Sequence, residues 1–469
     1  MEPDLLLISD LHLGSHLKPR MRGEAVHLAS RIEDLFPRFI EHYQREGRWQ
    51  LVINGDFIDF WNIELEGGEQ SAEQIAVARL HAVLDAHPMV EAALQGFLRT
   101  GQSILFVTGN HDAELLYRDV RAAIVARLTP APDADVTTTD LENLGALAPG
   151  RIRFVRWFLR EPGGAWIEHG HKFDPSCATP AVLSPTRGGE LVMTVAEVAT
   201  RSFANLMPEI DYDAPDKFGA MDYVRWALAR GWRFVIRVIL LYLRTAGRVL
   251  ALWGGPGRVD RAGKQIHAER LARVAANAGL QMSALAALEK MAPPPTATTV
   301  AGLLGITLLD HMLAAAAAMA VGALIGRALG NVWIGLLVGV ALGVLALARI
   351  RRKRRPRNVA RDMLEVAAGV GEVTGVPLVL MGHSHRGTLE RFGDVVYANS
   401  GSWLDGSHLV VRREPQTRRF AEVELRRWRN GGILRVSRMA VPQPANAEVS
   451  SLEISAVVEP VDAAARSVR

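Results

Sequence analysis

The 469-residue chain exceeds what one apolar core usually organises, so a catalytic domain with at least one further module is expected. Its 54 Lys and Arg against 50 Asp and Glu leave a formal charge of only +4, so the placement of basic residues matters more than their total. The single cysteine, Cys177, excludes an internal disulfide, and no basic segment or cleavage site precedes Leu5-Leu6-Leu7-Ile8, so the catalytic part is expected in the cytoplasm.

Residues 4 to 175 alternate short apolar runs with helix-like stretches, an α/β rhythm. Leu5 to Ser9, Gln50 to Asn54, Ser103 to Thr108 and Ala165 to Glu168 read as buried strands, each ending in polar residues where layered α/β folds assemble their sites. The rhythm breaks after Pro175 into a mainly helical stretch and returns with Leu378 to Met381, Val395 to Tyr397 and Phe420 to Leu425. We therefore divide the chain into a catalytic domain, residues 1–175 and 362–440, a helical insertion, 176–361, and a flexible tail, 441–469, rich in Pro, Ala, Glu and Ser.

The strand ends carry the chemistry. Asp10-Leu11-His12 puts a carboxylate and an imidazole on one loop, able to reach one ion. Gly55-Asp56 allows a close turn with Asp56 placed to bridge two cations. Gly109-Asn110-His111-Asp112 adds an amide oxygen as ligand and a histidine able to give a proton or a hydrogen bond. His169 and Gly382-His383-Ser384-His385 supply further imidazoles.

Each motif alone fits an ordinary turn or a core histidine, but all five in order, each after an apolar strand, point to metal ligation. Oxygen and imidazole donors suit two divalent ions, Mn first and Fe or Zn as alternatives, and the lack of thiolates argues against a structural zinc site or an iron–sulfur cluster. Such a pair of ions implies in-line attack on phosphorus by a hydroxide held between them, with His111 stabilising the transition state or protonating the leaving oxygen. Asp59 and Asp112 read as groups that orient the ligand imidazoles or His111, direct ligation being the alternative.

These residues resemble the calcineurin-like metallophosphoesterases, whose motifs Asp10-x-His12, Gly55-Asp56, Gly109-Asn110-His111-Asp112, His169 and Gly382-His383-x-His385 match in order over roughly residues 4 to 175 and 362 to 412. The resemblance implies a four-layer α/β/β/α sandwich, with Asp10, His12, Asp56 and His385 around one metal and Asp56, Asn110, His169 and His383 around the other. The wording around Asp10, Asp56 and His169-Gly170-His171-Lys172-Phe173-Asp174 is similar to the branch containing UDP-2,3-diacylglucosamine pyrophosphohydrolases, which implies a membrane-facing substrate. Two departures stand out: His111 follows Asn110 where the lipid A enzymes carry arginine, and the insertion is far longer than their helical lid.

Within the insertion, Asp222 to Trp253 reads as a basic amphipathic helix, with Arg230, Arg233, Arg237, Arg244 and Arg248 on one side and Val235, Ile239, Tyr242 and Leu243 on the other. It would lie on anionic lipid, hold a substrate phosphate, or present a solvated face. Leu303 to Ile325 and Val332 to Ala348 would span about 34 and 26 Å as helices, against a hydrocarbon core of about 30 Å. A transmembrane hairpin is expected, an interfacial pair or a soluble lid being the alternatives, and the basic run Arg349 to Arg355 places its ends in the cytoplasm. The whole reads as a hydrolase at the cytoplasmic membrane acting on a phosphate ester or pyrophosphate, lipid-linked or nucleotide-linked, with membrane lipids as partners and no nucleic acid. A membrane-anchored phosphodiesterase or phosphatase for soluble nucleotides or phosphoproteins is the alternative, and a non-catalytic scaffold a weaker one.

Overall fold

The computed structural model describes residues 2–14, 24–63, 70–129, 139–140, 151–207, 225–353, 358–429 and 431–443. The protein is α/β with mixed sheets and a long helical stretch. Strands β1 (Asp4–Ile8), β2 (Trp49–Asn54), β3 (Ser103–Val107), β4 (Thr139–Asp140) and β5 (Ile152–Val155) run parallel in an eight-stranded sheet. A five-stranded sheet contains β6 (Phe158–Glu161), β7 (Ala165–Glu168), β10 (Leu378–Met381), β11 (Thr388–Phe392) and β12 (Val395–Asn399), with β7, β10 and β12 parallel. Antiparallel β13 (Ser407–Arg413), β14 (Phe420–Arg429) and β15 (Gly432–Ala440) complete the first sheet in the order β15-β14-β13-β1-β2-β3-β5-β4.

The period-2 pattern of the apolar strands decides the packing, because both faces of each sheet are covered. Leu6, Ile8, Leu51, Ile53, Ile104 and Phe106 face helices α1 (Glu24–Glu46), α2 (Ala72–Ala86), α3 (Pro88–Arg99) and α4 (Arg118–Leu128). Their neighbours Leu5, Leu7, Val52, Leu105 and Val107 meet Ile167, Leu378, Leu380 and Val396 between the sheets. On the far side, Trp166, Val379, Met381 and Tyr397 pack on residues from two helices of the intervening region and on Met363, Ala367 and Val370.

That intervening region adds, among its described residues, no strand to either large sheet; its β8 (Thr186–Arg187) and β9 (Glu190–Leu191) form a ribbon of their own. It continues through α5 (Val195–Ser202), α6 (Trp232–Ala251), α7 (Arg261–Asn277), α8 (Met282–Met291), α9 (Val300–Ile306), α10 (Leu309–Ala328) and α11 (Val332–Lys353). Helix α12 (Val359–Thr374), capped by Asn358 at its start and left-handed Gly375 at its end, returns the chain to β10.

Two expected helices differ in extent. The basic helix begins at Trp232, because Gly231 at φ 91° breaks it from the helical residues 225–228; residues 222–224 lie outside the described residues. The first apolar segment is interrupted at Thr307 and Leu308, the latter at φ 52°, so α9 is a short separate helix. Asp310 and His311 consequently sit in the first turn of α10, paired at 2.8 Å, rather than inside a continuous span.

Helices α10 and α11 pack through glycines. A Cβ added at Gly322 would come 2.6 Å from Gly339 N and overlap Gly335 O, so only glycine permits this approach. Their other faces are bare: Leu324, Val332, Trp333, Leu337 and Leu345 are exposed, and only 17% and 11% of the most apolar window of each helix is buried. The last part of the basic run, residues 354–357, and the tail from 444 onward lie outside the described residues.

Candidate metal centre

The parallel strands of both sheets deliver their polar ends to one place. Asn54 ties the sheets together: its amide donates to Glu168 O (3.0 Å), while its carbonyl accepts from His169 Nδ1 (2.7 Å). Because a carbonyl can only accept, His169 carries its proton on Nδ1 and turns Nε2 toward Asp56 Oδ2, 3.2 Å away. Gly55, at φ 83°, makes this possible, since a Cβ there would occupy the space of the His169 ring.

Four overlapping donor groups result: Asp10, His12 and His385; His12, Asp56 and His111; Asp56, His169 and His383; and Asp174, Cys177 and His383, with the donor atoms of each group within 4.8 Å of one another. Asp56 belongs to two of them. His385 Nε2 lies 3.2 Å from Asp10 Oδ1 and 3.4 Å from His12 Nε2, so two imidazole nitrogens converge beside a carboxylate. Asn110 stands between Gly109 and His111, and its buried Oδ1 has no hydrogen-bond partner. The backbone is strained where the donors sit: Asp10, His12, Asp56, His383 and His385 all have φ between 50° and 64°, a region unfavourable for side chains with a Cβ.

The electrostatics follow from crowding. Burial opposes the Asp10 charge, yet neighbouring His385 brings its pKa down to about 2. Burial works the same way on Asp56, which His169 and His111 hold well below the usual carboxylate range. Burial also disfavours charge on His169, but Asp56 overrides it and raises the imidazole to about 9. His12 goes the other way, to about 3, through burial and the neighbouring His111. This compensation by protonated imidazoles is what cations would replace, and the convergent donors, the partnerless amide oxygen and the strained loops together fit two divalent ions.

His111 sits at the edge of the cluster, 15% exposed, its ring 3.8 Å from that of Trp61. Its backbone N–H donates to Asp56 Oδ1 (2.8 Å), and Nδ1 meets Asp59 Oδ1 at 3.0 Å. The Asp59 carboxylate can only accept, so the proton between them sits on Nδ1, and a His111 ring nitrogen lies within 4.8 Å of donor atoms of His12 and Asp56. Burial lowers the His111 pKa, but Asp59 and Asp56 outweigh it and the ring stays protonated above the ordinary histidine range.

Asp59 thus touches His111 and, at 4.0 Å, His12. Asp112 differs from its expected role: its oxygens accept the backbone N–H groups of Gly109 (2.6 Å) and Phe57 (2.9 Å), so it fastens two loops together and orients no imidazole. Asp174, which motif reading passed over, lies 3.5 Å from His383 Nε2 and takes the part of orienting that ring. Its only sequence signal is its place five residues after His169. Ser9, also missed, donates to Asp10 Oδ2 and meets Ser400 Oγ at 2.6 Å.

An open pocket of about 60 Å³ adjoins Asn110 and His171 and is lined also by Trp61 and Leu116 and, from the intervening region, by Val182 and Glu197. No protein-family model matches the chain, and no curated protein does.

Proposed function

We propose that this chain is a dinuclear metal-dependent phosphoesterase of the calcineurin-like superfamily, cleaving a phosphate ester or pyrophosphate bond in a lipid-linked or nucleotide-linked substrate at the cytoplasmic membrane. The observation that carries this reading is the sharing of Asp56 between a donor group with His12 and His111 and one with His169 and His383, while His12 links the first of these to Asp10 and His385. The stacking of helices, sheet, sheet and helices seen in the three apolar clusters supports the four-layer sandwich that the motif resemblance implies.

Asp10, His12, Asp56 and His385 would hold one ion, and Asp56, Asn110, His169 and His383 the other, with Mn the first choice over Fe or Zn. When bound, such a pair supplies positive charge for a phosphate and acidifies water. The protein's own part is then positional. Asp59 keeps the His111 proton on the ring, Trp61 fixes the ring plane, and Nε2–H donates to a phosphoryl or leaving oxygen. The open pocket beside Asn110 would receive the part of the substrate next to its phosphate.

The exposed apolar helices α10 and α11 support a membrane hairpin, and the arginines at the end of α11 support a cytoplasmic position for its ends and for the catalytic part. The test uses the full chain in detergent, stripped of metal and reloaded with Mn²⁺, with bound metal and hydrolysis of bis-p-nitrophenyl phosphate and of a UDP-linked acyl sugar measured together. About two equivalents of Mn²⁺ are expected, with metal-dependent turnover lost in Asp56→Ala and preference for the acyl sugar. Turnover without such preference would favour a soluble nucleotide or phosphoprotein substrate. Bound metal with no hydrolysis of any phosphate ester or anhydride would reject catalysis.

A further inference from the structure

Helix α6 departs from the usual amphipathic plan. At about 100° per residue its side chains fall into three sectors. Thr245, Ala246 and Val249 are buried and, with half-buried Val235 and Tyr242, form the sector that packs on the protein. The sequence pattern grouped Ile239 and Leu243 with Val235 and Tyr242 opposite the arginines; in the structure they part from those two and join Trp232, Ile236 and Leu240 in a second sector that is 46% to 69% exposed. Arg233, Arg237, Arg244 and Arg248 fill the third, directly beside the apolar one.

Five large apolar side chains facing water along one helix need a cover. Two features say what it is. The arginine row borders the apolar row along its length, the arrangement that sets guanidinium groups at lipid phosphates while the apolar row enters the acyl boundary. The helix also abuts the foot of the hairpin: Tyr242 donates its hydroxyl hydrogen to Thr307 O, two residues before α10 begins.

We infer that α6 lies flat on an anionic bilayer, with Trp232, Ile236, Ile239, Leu240 and Leu243 in the apolar margin and Arg233 and Arg244 at the phosphates, an inference that rests on the hairpin reading above. The same helix is fastened to the metal centre. Arg248 donates to Ser202 Oγ (2.8 Å) and Arg237 to Leu206 O (2.9 Å), while Asn205 donates to Trp61 O (3.0 Å), the residue stacked on His111. A bilayer under α6 would therefore be tied through these contacts to the height of the candidate metal centre above the lipid surface.

The full chain carries one cysteine, Cys177, which is buried, so single cysteines introduced by Ile236→Cys, Leu240→Cys, Leu337→Cys in the hairpin and Gln265→Cys on α7 accept an environment-sensitive fluorophore selectively. Each is reconstituted in phosphatidylcholine vesicles with or without phosphatidylglycerol, and with lipids bearing a quencher. Labels at 236, 240 and 337 are expected to shift to the blue and lose emission to the quencher lipid, while the label at 265 does neither. Arg233→Glu with Arg244→Glu is expected to remove the response at 236 and 240 and leave hydrolysis of bis-p-nitrophenyl phosphate unchanged. Quenching at 337 with positions 236 and 240 still in water would overturn the docked helix and leave the hairpin standing. Shielding at 236 and 240 without quenching by lipid would mean a protein cover and overturn it too. A label at 337 that never meets lipid would overturn both.

Discussion

The sheet core that carries the candidate site and the helical hairpin draw on similar apolar residues and treat them in opposite ways. In the core, Leu5 to Ile8 and Leu51 to Ile53 bury both faces of their strands, and strain is concentrated at the polar loops beyond them. In the hairpin, glycines hold two helices together and nearly every large side chain faces out. Apolarity alone does not place a segment inside a protein; what matters is whether neighbouring backbone hydrogen bonds and side chains close over it, and a helix can leave its apolar surface to another solvent.

The largest effect expected from this contrast is an acid weakness confined to the core. His408 is fully buried and neutral, its Nδ1–H on Gly406 O and its Nε2 facing the Tyr43 hydroxyl at 2.7 Å. Burial drives its pKa down to about 3, and burial likewise takes His87 to about 4. Both pKa values lie below the unfolded value near 6.5, so the unfolded chain binds more protons in this range. Their contribution is complete above about pH 6.5 and is lost as pH falls toward 4, each histidine giving up roughly 1.4 kcal/mol for every pH unit between the two. Urea unfolding of the metal-free chain should weaken by several kcal/mol over that range, and His408→Gln should flatten the slope. An unchanged slope in the variant would mean that His408 does not carry the effect.

Next in size is Asp59→Asn. Removing the carboxylate that raises the His111 pKa lowers it, so the alkaline fall in turnover moves to lower pH and kcat drops about 10- to 100-fold with KM nearly constant. Measuring pH profiles of kcat and KM on the Mn²⁺-loaded protein checks this; a change in KM alone would assign Asp59 to substrate contact.

Smallest is Gly322→Val. The added side chain meets Gly335 and Gly339 across the hairpin, which should cost about 1–3 kcal/mol of helix–helix packing. Hydrolysis of a soluble ester should stay within about twofold, since the hairpin shares no residue with the donor groups. Protease sensitivity between α10 and α11, read beside turnover, separates the two; loss of turnover would mean the regions are not independent.

Much of the core is legible from residue order because the information is local. Apolar runs of four to six residues bounded by Gly, Asp and Asn can do little but form buried strands, and Asp10, Asp56, Asn110, His169 and His383 fall at strand ends for that reason. Strands β4, β5, β6, β8, β9, β11, β13 and β15 escaped notice, being only two to four residues long or carrying charges such as Glu390, Arg412 and Arg435.

The chain's order of residues by itself determined that imidazoles, carboxylates and an amide would follow successive strands, and that Leu303 to Ile325 and Val332 to Ala348 would be apolar helices, the first of which the structure breaks at Thr307 and Leu308. Only the tertiary structure decided which donors meet: His12 and His385 are 373 positions apart, follow strands of different sheets, and are brought to 3.4 Å between their nitrogens by the packing of one sheet on the other. It likewise decided that Asp174 stands behind His383, that Asp112 serves the backbone, and that the apolar row of α6 points outward. Periodicity reports which side chains share a face; the direction of that face depends on what the rest of the chain packs against it.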